Sequence, residues 1–341
     1  MAQSTIQDND IAAWCVHGGR LAEAAAAFPE APRPWIDLST GINPHGWDAA
    51  RAGPIDWRSL PEDAALQALE TAAAAHFGAP PDHVCAVPGT ELGLRELATL
   101  GLPGPVRHVA PGYGTHAFLA RDGAIMAEAL AGEADRGGTI VLANPNNPDG
   151  RIWRVETLFD AASRLAALGG LLIVDEAFAD VDPAIGLLPV LPEDLRAQVI
   201  VLRSFGKFFG LAGLRLGFVC AAPARLAALR DRLGSWPVSS AAIAIGSAAY
   251  RDAAWIAATR TRLREDGARL DALLVAHGLS VRGGCPLFRL AETADARALF
   301  ARLIRNGILT RPFEHASDWL RLGLPGDADA WARVETVLRH G

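Results

Sequence analysis

The chain lacks the features that would assign it to several large protein classes. Its four cysteines (Cys15, Cys85, Cys220 and Cys285) are scattered and none forms a Cys-x-x-Cys pair. A chain of 341 residues needs no disulfide staples, so a reducing, cytoplasmic setting is expected. His17 near Cys15 and His83 near Cys85 lack zinc-type spacing, and no metal is expected. No apolar run approaches the roughly 20 residues that cross a bilayer. No basic start leads into an apolar stretch, so no signal peptide is expected. Positive charge is not in excess: 32 Lys and Arg face 38 Asp and Glu, for a net charge of -6. That balance argues against nucleic acid or an anionic membrane as a partner. There is no GxxxxGK[ST] loop, no internal repeat and no low-complexity segment.

What is present is a large apolar fraction, half of all residues, enough to bury a sizeable core. The first ten residues are polar and are expected to be loose. Residues 1–46, rich in Gly and Pro from Trp14 onward, read as an N-terminal arm serving a small domain and a site. Leu66, Leu69 and Ala73 mark a helix over Pro61–Phe77 that Gly78 ends. Short apolar runs then alternate with helical stretches. The runs are Val84–Val87, Val106–Ala110, Ile140–Ala143, Leu171–Val174, Val199–Leu202 and Leu216–Cys220. They lack polar alternation, as do strands buried on both faces of a parallel sheet. The expected fold is α/β, a mostly parallel sheet between helices over 47–235. Ser235-Trp236-Pro237 reads as a joint, followed by one long helical stretch (Ala241–His277) and a smaller α+β domain over 236–341.

Five segments carry candidate chemistry. Ser204-Phe-Gly206-Lys207 follows an apolar strand and continues through Gly210 and Gly213 to Arg215. A desolvated lysine has a lowered pKa and can attack an aldehyde. Ser204 and Arg215 can both face a phosphate; the bland alternative is a surface lysine beside a glycine-rich turn. Asp175 ends the apolar run Leu171–Val174, and an acid there needs a positive partner. A protonated pyridine nitrogen is one such partner, and the cationic ring withdraws electrons. Asn144-Pro-Asn-Asn147-Pro follows another strand, as a plain turn or as an amide at the ligand-binding edge. Pro88-Gly89-Thr90-Glu91 lies between strand and helix, where free N–H groups suit a phosphate and where Thr90 could equally be an N-cap. Tyr113, one of only two tyrosines, sits on the turn after Val106–Ala110 and could stack on a flat cofactor.

In this order the segments resemble the fold type I pyridoxal-phosphate (PLP) enzymes of the class I/II aminotransferase superfamily. The resemblance covers nearly the whole chain, and Ser-x-x-Lys…Arg at 204–215 is its most specific part. It implies a seven-stranded, mostly parallel sheet, with Lys207 as the imine-forming lysine and general acid/base. It implies Asp175 on the pyridine nitrogen, Asn147 near the ring hydroxyl, and Tyr113 over the ring. Gly89, Thr90, Ser204 and Arg215 would hold the phosphate, with Glu91 through its backbone N–H. Arg321, in Trp319-Leu-Arg-Leu-Gly, matches the arginine that grips the substrate carboxylate; the alternative is a surface arginine on a small-domain strand.

Within the superfamily, His17-Gly-Gly-Arg20 and Ser39-Thr-Gly41-Ile-Asn43-Pro look like the threonine-phosphate decarboxylases of cobalamin biosynthesis. Their nearest relatives are the histidinol-phosphate aminotransferases. The implied substrate is a phosphorylated amino acid. His17, Ser39, Gly41, Asn43, Asn147 and Arg311 join Arg321 as candidate substrate contacts, with turn or cap roles as the alternative for several. Two positions depart from the aminotransferase pattern: Phe178 stands where a tyrosine is usual, and Leu60 where a neighbouring subunit's tyrosine is usual. The first favours the decarboxylase branch. Transamination and a non-catalytic binding protein are the alternatives, and a homodimer is implied.

Overall fold

The computed structural model describes residues 8–339. Met1–Gln7 lie outside the described residues, while Asp8–Cys15 form a helix, so the loose start expected over ten residues does not extend that far. The chain divides into two compact units. One comprises Gly46–Asn147 and Arg151–Arg260; the other comprises Met1–His45, Pro148–Gly150 and Thr261–Gly341.

The larger unit is built on a seven-stranded sheet of β1 (Val84–Val87), β2 (Val106–Ala110), β3 (Ala124–Met126), β4 (Thr139–Ala143), β5 (Leu171–Asp175), β6 (Val199–Ser204) and β7 (Gly217–Cys220). Their order is β1-β7-β6-β5-β4-β2-β3. β7 runs antiparallel to both neighbours and the other pairings are parallel. β4, β5, β6 and β7 are buried at every position, which is why their sequences do not alternate. β3 escaped the sequence reading because three residues in an exposed–buried–exposed pattern carry too little signal. Helix Val155–Ala167 buries Leu158, Ala161, Ala162 and Leu165, one stripe at helical spacing. Each of its two buried leucines contributes about 1.5–3 kcal/mol. Helix Asp63–Phe77 ends at Gly78 in the left-handed conformation, as expected of that stop.

The long stretch expected from Ala241 is two helices, Ser240–Arg251 and Ala253–Ala276. Asp252 breaks it. Its carboxylate accepts from Trp47 Nε1 at 2.9 Å and the Trp255 backbone N–H at 3.2 Å, and pairs with Arg51 at 2.6 Å. Tyr250 packs edge-on against Phe77 and Phe209. Residues 236–260 therefore pack with the larger unit, and the division falls at 260/261 instead of at Ser235–Pro237.

Register decides where the motifs land. Ala143, Asp175 and Leu202 are lateral neighbours, and Ser204 lies opposite Gly217. The parallel strands thus deliver Tyr113, Asn147, Asp175 and Lys207 to one edge of the sheet, beyond their carboxyl ends. The reversed β7 brings its amino end to the same edge, and Val87, paired with Gly217, puts Gly89 and Thr90 there too.

The smaller unit carries a four-stranded antiparallel sheet. Its order is Arg311–Pro312, Trp319–Gly323, Phe288–Glu292, Ser280–Cys285. Helix Ala296–Arg305 turns Ala296, Leu299, Phe300, Leu303 and Ile304 inward and is capped by Asp295, which accepts from the Ala298 N–H. Ile36–Asp37 pairs in parallel with Ile308–Leu309, so the segment read as an arm contributes a strand. Among the described residues no helix is long and apolar enough to cross a membrane.

Candidate active site

In the larger unit the site starts from Asp175. It is buried at the end of β5, and its Oδ1 accepts from the Ala177 N–H at 3.0 Å. Its Oδ2 lies 3.0 Å from Nε2 of His116, a fully buried residue. Sequence reasoning passed over His116. Its only signal was a position three residues after Tyr113, one turn along the helix Gly114–Leu119.

Lys207 sits half-buried on the short helix Phe205–Phe208 that follows β6, among the buried residues Phe205, Phe208 and Phe209. Its Nζ is 5.6 Å from the centre of the Phe178 ring. Phe178 is three residues past Asp175, so the lysine lies beside the segment that follows the aspartate. The lysine is not a surface residue of a glycine turn.

Tyr113 donates through its hydroxyl to Glu91 Oε2 at 3.0 Å, and Thr115 Oγ1 donates to the same oxygen at 2.7 Å. Arg95 Nε donates to Oε1 at 2.7 Å. Burial alone would raise Glu91, but the bonds from Thr115, Arg95 and Tyr113 hold its carboxyl below the usual range. Burial, followed by the charge of Glu91, pushes the Tyr113 phenol up to about 12. The Tyr113 ring stands perpendicular to His116, with centroids 5.8 Å apart.

A cradle forms where Gly89, Thr90, Ser204, Arg215 and Gly217 meet. Gly89 has φ 86° and is itself the N-cap of helix Thr90–Leu97, so Thr90 is the first helical residue and not the cap. A Cβ on Gly89 would stand 2.5 Å from Arg215 Nη2, and one on Gly217 would stand 2.6 Å from the Thr90 nitrogen. Only glycine leaves that much room beside the helix's free N–H groups and a guanidinium. Asn147 is buried on the loop after β4. Asn144 and Asn146 pin that loop: Asn144 Oδ1 accepts from the Trp153 N–H at 3.0 Å, and Asn146 Nδ2 donates to Pro111 O at 2.9 Å.

Behind this surface lies a buried ionic cluster. Arg203 Nη1 is 3.0 Å from Glu176 Oε2, and Nη2 donates to Asp180. His76 Nε2 lies 3.2 Å from Asp180, and Glu176 Oε1 accepts from the Leu187 N–H at 2.7 Å. Glu176 and Arg203 each adjoin a site residue in sequence, Asp175 and Ser204, on neighbouring strands.

The smaller unit holds the other candidates. Arg321 is buried and lies directly opposite Arg311 across two antiparallel strands. Burial and the like charge of Arg311 lower the pKa of Arg321, with Asp37 offsetting part. Facing cations are unfavourable, and an anion between them would relieve the cost. Arg321 Nη2 donates to Ser39 O at 2.7 Å. Ser39 is fixed in turn: Asp37 Oδ1 accepts from its hydroxyl at 2.5 Å and its N–H at 2.9 Å, and its Oγ accepts from the Gly19 N–H at 2.8 Å. Arg311 Nη2 donates to Val16 O at 3.2 Å, next to the exposed His17. Thus the His17 loop, Ser39, Arg311 and Arg321 come together, organised by Asp37, which sequence reasoning missed. Gly41 and Asn43 are buried nearby in sequence, and Asn43 Oδ1 accepts from the His45 N–H at 2.9 Å, a local turn.

The family "Aminotransferase class I and II" matches residues 122–333. A protein named threonine-phosphate decarboxylase from Sinorhizobium sp. is 41% identical, over 94% of this chain and 98% of that protein. Another of the same name, from Pseudomonas aeruginosa, is 38% identical over 94% and 96%. A solved structure of histidinol-phosphate aminotransferase from Sinorhizobium meliloti with pyridoxal-5'-phosphate superposes with a TM-score of 0.81 at 22% identity, covering 94% of this chain and 95% of that one.

Proposed function

The chain belongs to the aminotransferase class I and II family, and we propose that it is a PLP-dependent lyase that decarboxylates L-threonine O-3-phosphate to (R)-1-amino-2-propanol O-2-phosphate. One observation supports this reading: a chain that matches threonine-phosphate decarboxylases over 94% of its length carries a lysine, a hydrogen-bonded aspartate and a close glycine–arginine approach that would suit an anion, beyond one edge of its sheet.

The residues present fit the cofactor, since the cradle at Gly89 and Gly217 would be closed by any Cβ. Gly89, Thr90, Glu91 (through its backbone N–H), Ser204 and Arg215 would hold its phosphate. Asp175 would take the pyridine nitrogen, Tyr113 would cover the ring, and Asn147 would approach the ring hydroxyl. Bound PLP supplies an electron sink for the pair left behind at the substrate's α-carbon.

The chain's own residues do the rest. Lys207 would be the residue that carries the cofactor, and its amine would supply the proton taken up at the α-carbon. His116 fixes the orientation of Asp175, which would keep the ring nitrogen protonated. Arg321 and Arg311, with Ser39, His17, Gly41 and Asn43 around them, would grip the carboxylate and the phosphate of the substrate. How these groups orient the substrate would decide which bond at its α-carbon reacts, and misplacement at this level changes rates by about a hundredfold. The balance is one CO₂ released with its bonding pair left at the α-carbon, and one proton taken up there. Phe178 places no hydroxyl at the ring, a departure from the aminotransferase pattern that supports lyase over transfer chemistry.

The same reading makes the protein a cytoplasmic homodimer of cobalamin biosynthesis, with neither nucleic acid nor membrane as a partner. The test is product analysis with threonine phosphate and PLP. CO₂ and aminopropanol phosphate are expected. Glutamate formed from 2-oxoglutarate without CO₂ release would overturn the assignment to decarboxylation. Loss of the lysine-bound cofactor's visible absorbance in Lys207→Ala checks the attachment point.

A further inference from the structure

We propose that the Glu91 side chain is a positioning residue that clamps Tyr113, so that the start of the phosphate-binding helix and the aromatic cover of the cofactor ring move as one body. The proposal deepens the reading above and rests on Tyr113 lying against the cofactor ring.

A carboxylate offers about four acceptor sites. In Glu91 three are taken, by donors from two separate segments. Tyr113 Oη, at the cap of helix Gly114–Leu119, and Thr115 Oγ1, in its first turn, reach Oε2 at 3.0 and 2.7 Å. Arg95 Nε reaches Oε1 from the next helical turn, at 2.7 Å, and its guanidinium lies 4.5 Å from the Phe118 ring centre. Arg95 therefore holds the carboxylate in place while the other oxygen takes the two hydroxyls. The terminal torsion of a tyrosine is broad, and a tethered hydroxyl narrows it. A phenol donating to an ionised carboxylate makes one of the stronger hydrogen bonds available.

The same ring stands perpendicular to His116, with centroids 5.8 Å apart, and His116 holds Asp175. Glu91 is thus the first of a continuous series: Glu91 to Tyr113, Tyr113 to His116, His116 to Asp175. It links the phosphate end of the site to the ring-nitrogen end. A local helix role for Glu91, an acid in the first turn paired at i,i+4 with Arg95, explains neither hydroxyl.

The test is a double-mutant cycle on the holoenzyme, read as the dissociation constant for PLP and as the induced circular dichroism of the bound cofactor. Tyr113→Leu should weaken PLP binding by more than tenfold; if it does not, the placement of Tyr113 over the ring fails, and the clamp with it. Glu91→Ala and Tyr113→Phe should each weaken binding by about tenfold and reduce the dichroic signal. The combined variant should be no worse than either single one, because both remove one interaction. Glu91→Gln retains an acceptor and should lose less than Glu91→Ala. The clamp is overturned if Tyr113→Leu weakens binding while Glu91→Ala changes only the melting temperature, or if the two single effects add. Should Glu91→Ala not fold, Glu91→Gln cycled against Tyr113→Phe reads the same coupling, and additive effects would overturn the clamp.

Discussion

Replacing Arg203 with Met removes the one guanidinium that serves two buried carboxylates. Glu176, Asp180 and Arg203 are each at most 4% exposed, and Arg203 also lies 4.5 Å from the Phe77 ring centre. Burial pushes Glu176 up to about 7, although Arg203 pulls the other way. Burial also acts to raise Asp180, but Arg203 and then His76 hold it well below the usual carboxylate range. Arg203 lies between the two acids while His76 adds its bond only to Asp180, so the two carboxyls shift in opposite directions. Deleting one partner of a buried ion pair costs about 3–5 kcal/mol. For a unit of this size that lowers the melting temperature by roughly 10 °C.

The pH dependence has a definite sign. In the wild type the raised Glu176 makes stability fall as pH rises from the unfolded value, about 4.5, to about 7, and little further change from this group follows above that. The depressed Asp180 contributes stability above its unfolded value, 3.8, that is lost as pH falls below it. In Arg203→Met both carboxyls rise above their unfolded values, so the folded state binds extra protons near neutrality. Between pH 7 and 8 the variant should lose a further 1.4 kcal/mol, roughly, for each proton held, where the wild type is nearly flat in this term. Urea denaturation at pH 6, 7 and 8 measures this, and adding Glu176→Gln should reduce the slope. A variant less than about 1 kcal/mol destabilised, with the wild-type slope, would refute the reasoning.

His116→Phe should keep the ring volume but free Asp175. It should lower kcat by about 10- to 100-fold, the loss of one hydrogen bond to a charged group, measured by steady-state kinetics with saturating PLP. Gly89→Ala forces a side chain into φ 86° and against Arg215. It should weaken PLP affinity by at least tenfold with little change in KM for substrate once the cofactor is saturating, as read by cofactor titration. Arg321→Ala should raise KM more than Arg311→Ala if the buried arginine holds the carboxylate, because its anion site is the more desolvated. Phe178→Tyr should increase the ratio of transamination to decarboxylation, scored as pyridoxamine phosphate formed per CO₂ released; an unchanged ratio would remove Phe178 from the choice of reaction.

Strand identity in the larger unit was legible because burial on both faces writes itself as unbroken apolar runs, as in Ile140–Ala143 and Val199–Leu202. The lysine, the aspartate and the phosphate segment were legible because each combines a charge or glycines with a strand end. The helix break at Asp252 was not, since its cause is a bond to Trp47, about two hundred positions away. Nor were β3 and the strand Ile36–Asp37, too short to show a period.

By itself, then, the sequence determined which residue types stand at which strand ends, because those depend on local pattern and on the chemistry of the side chains. Only the tertiary structure decided who orients them. His116 on Asp175, Glu91 on Tyr113, Asp37 on Ser39 and Arg203 between Glu176 and Asp180 are mostly contacts between segments far apart in the chain. The lone short-range pair, Asp37 with Ser39, gains its meaning from Arg321 arriving across the fold. A hydrogen bond forms by distance in space, and distance along the chain carries no record of it until strand register has fixed where each side chain lies.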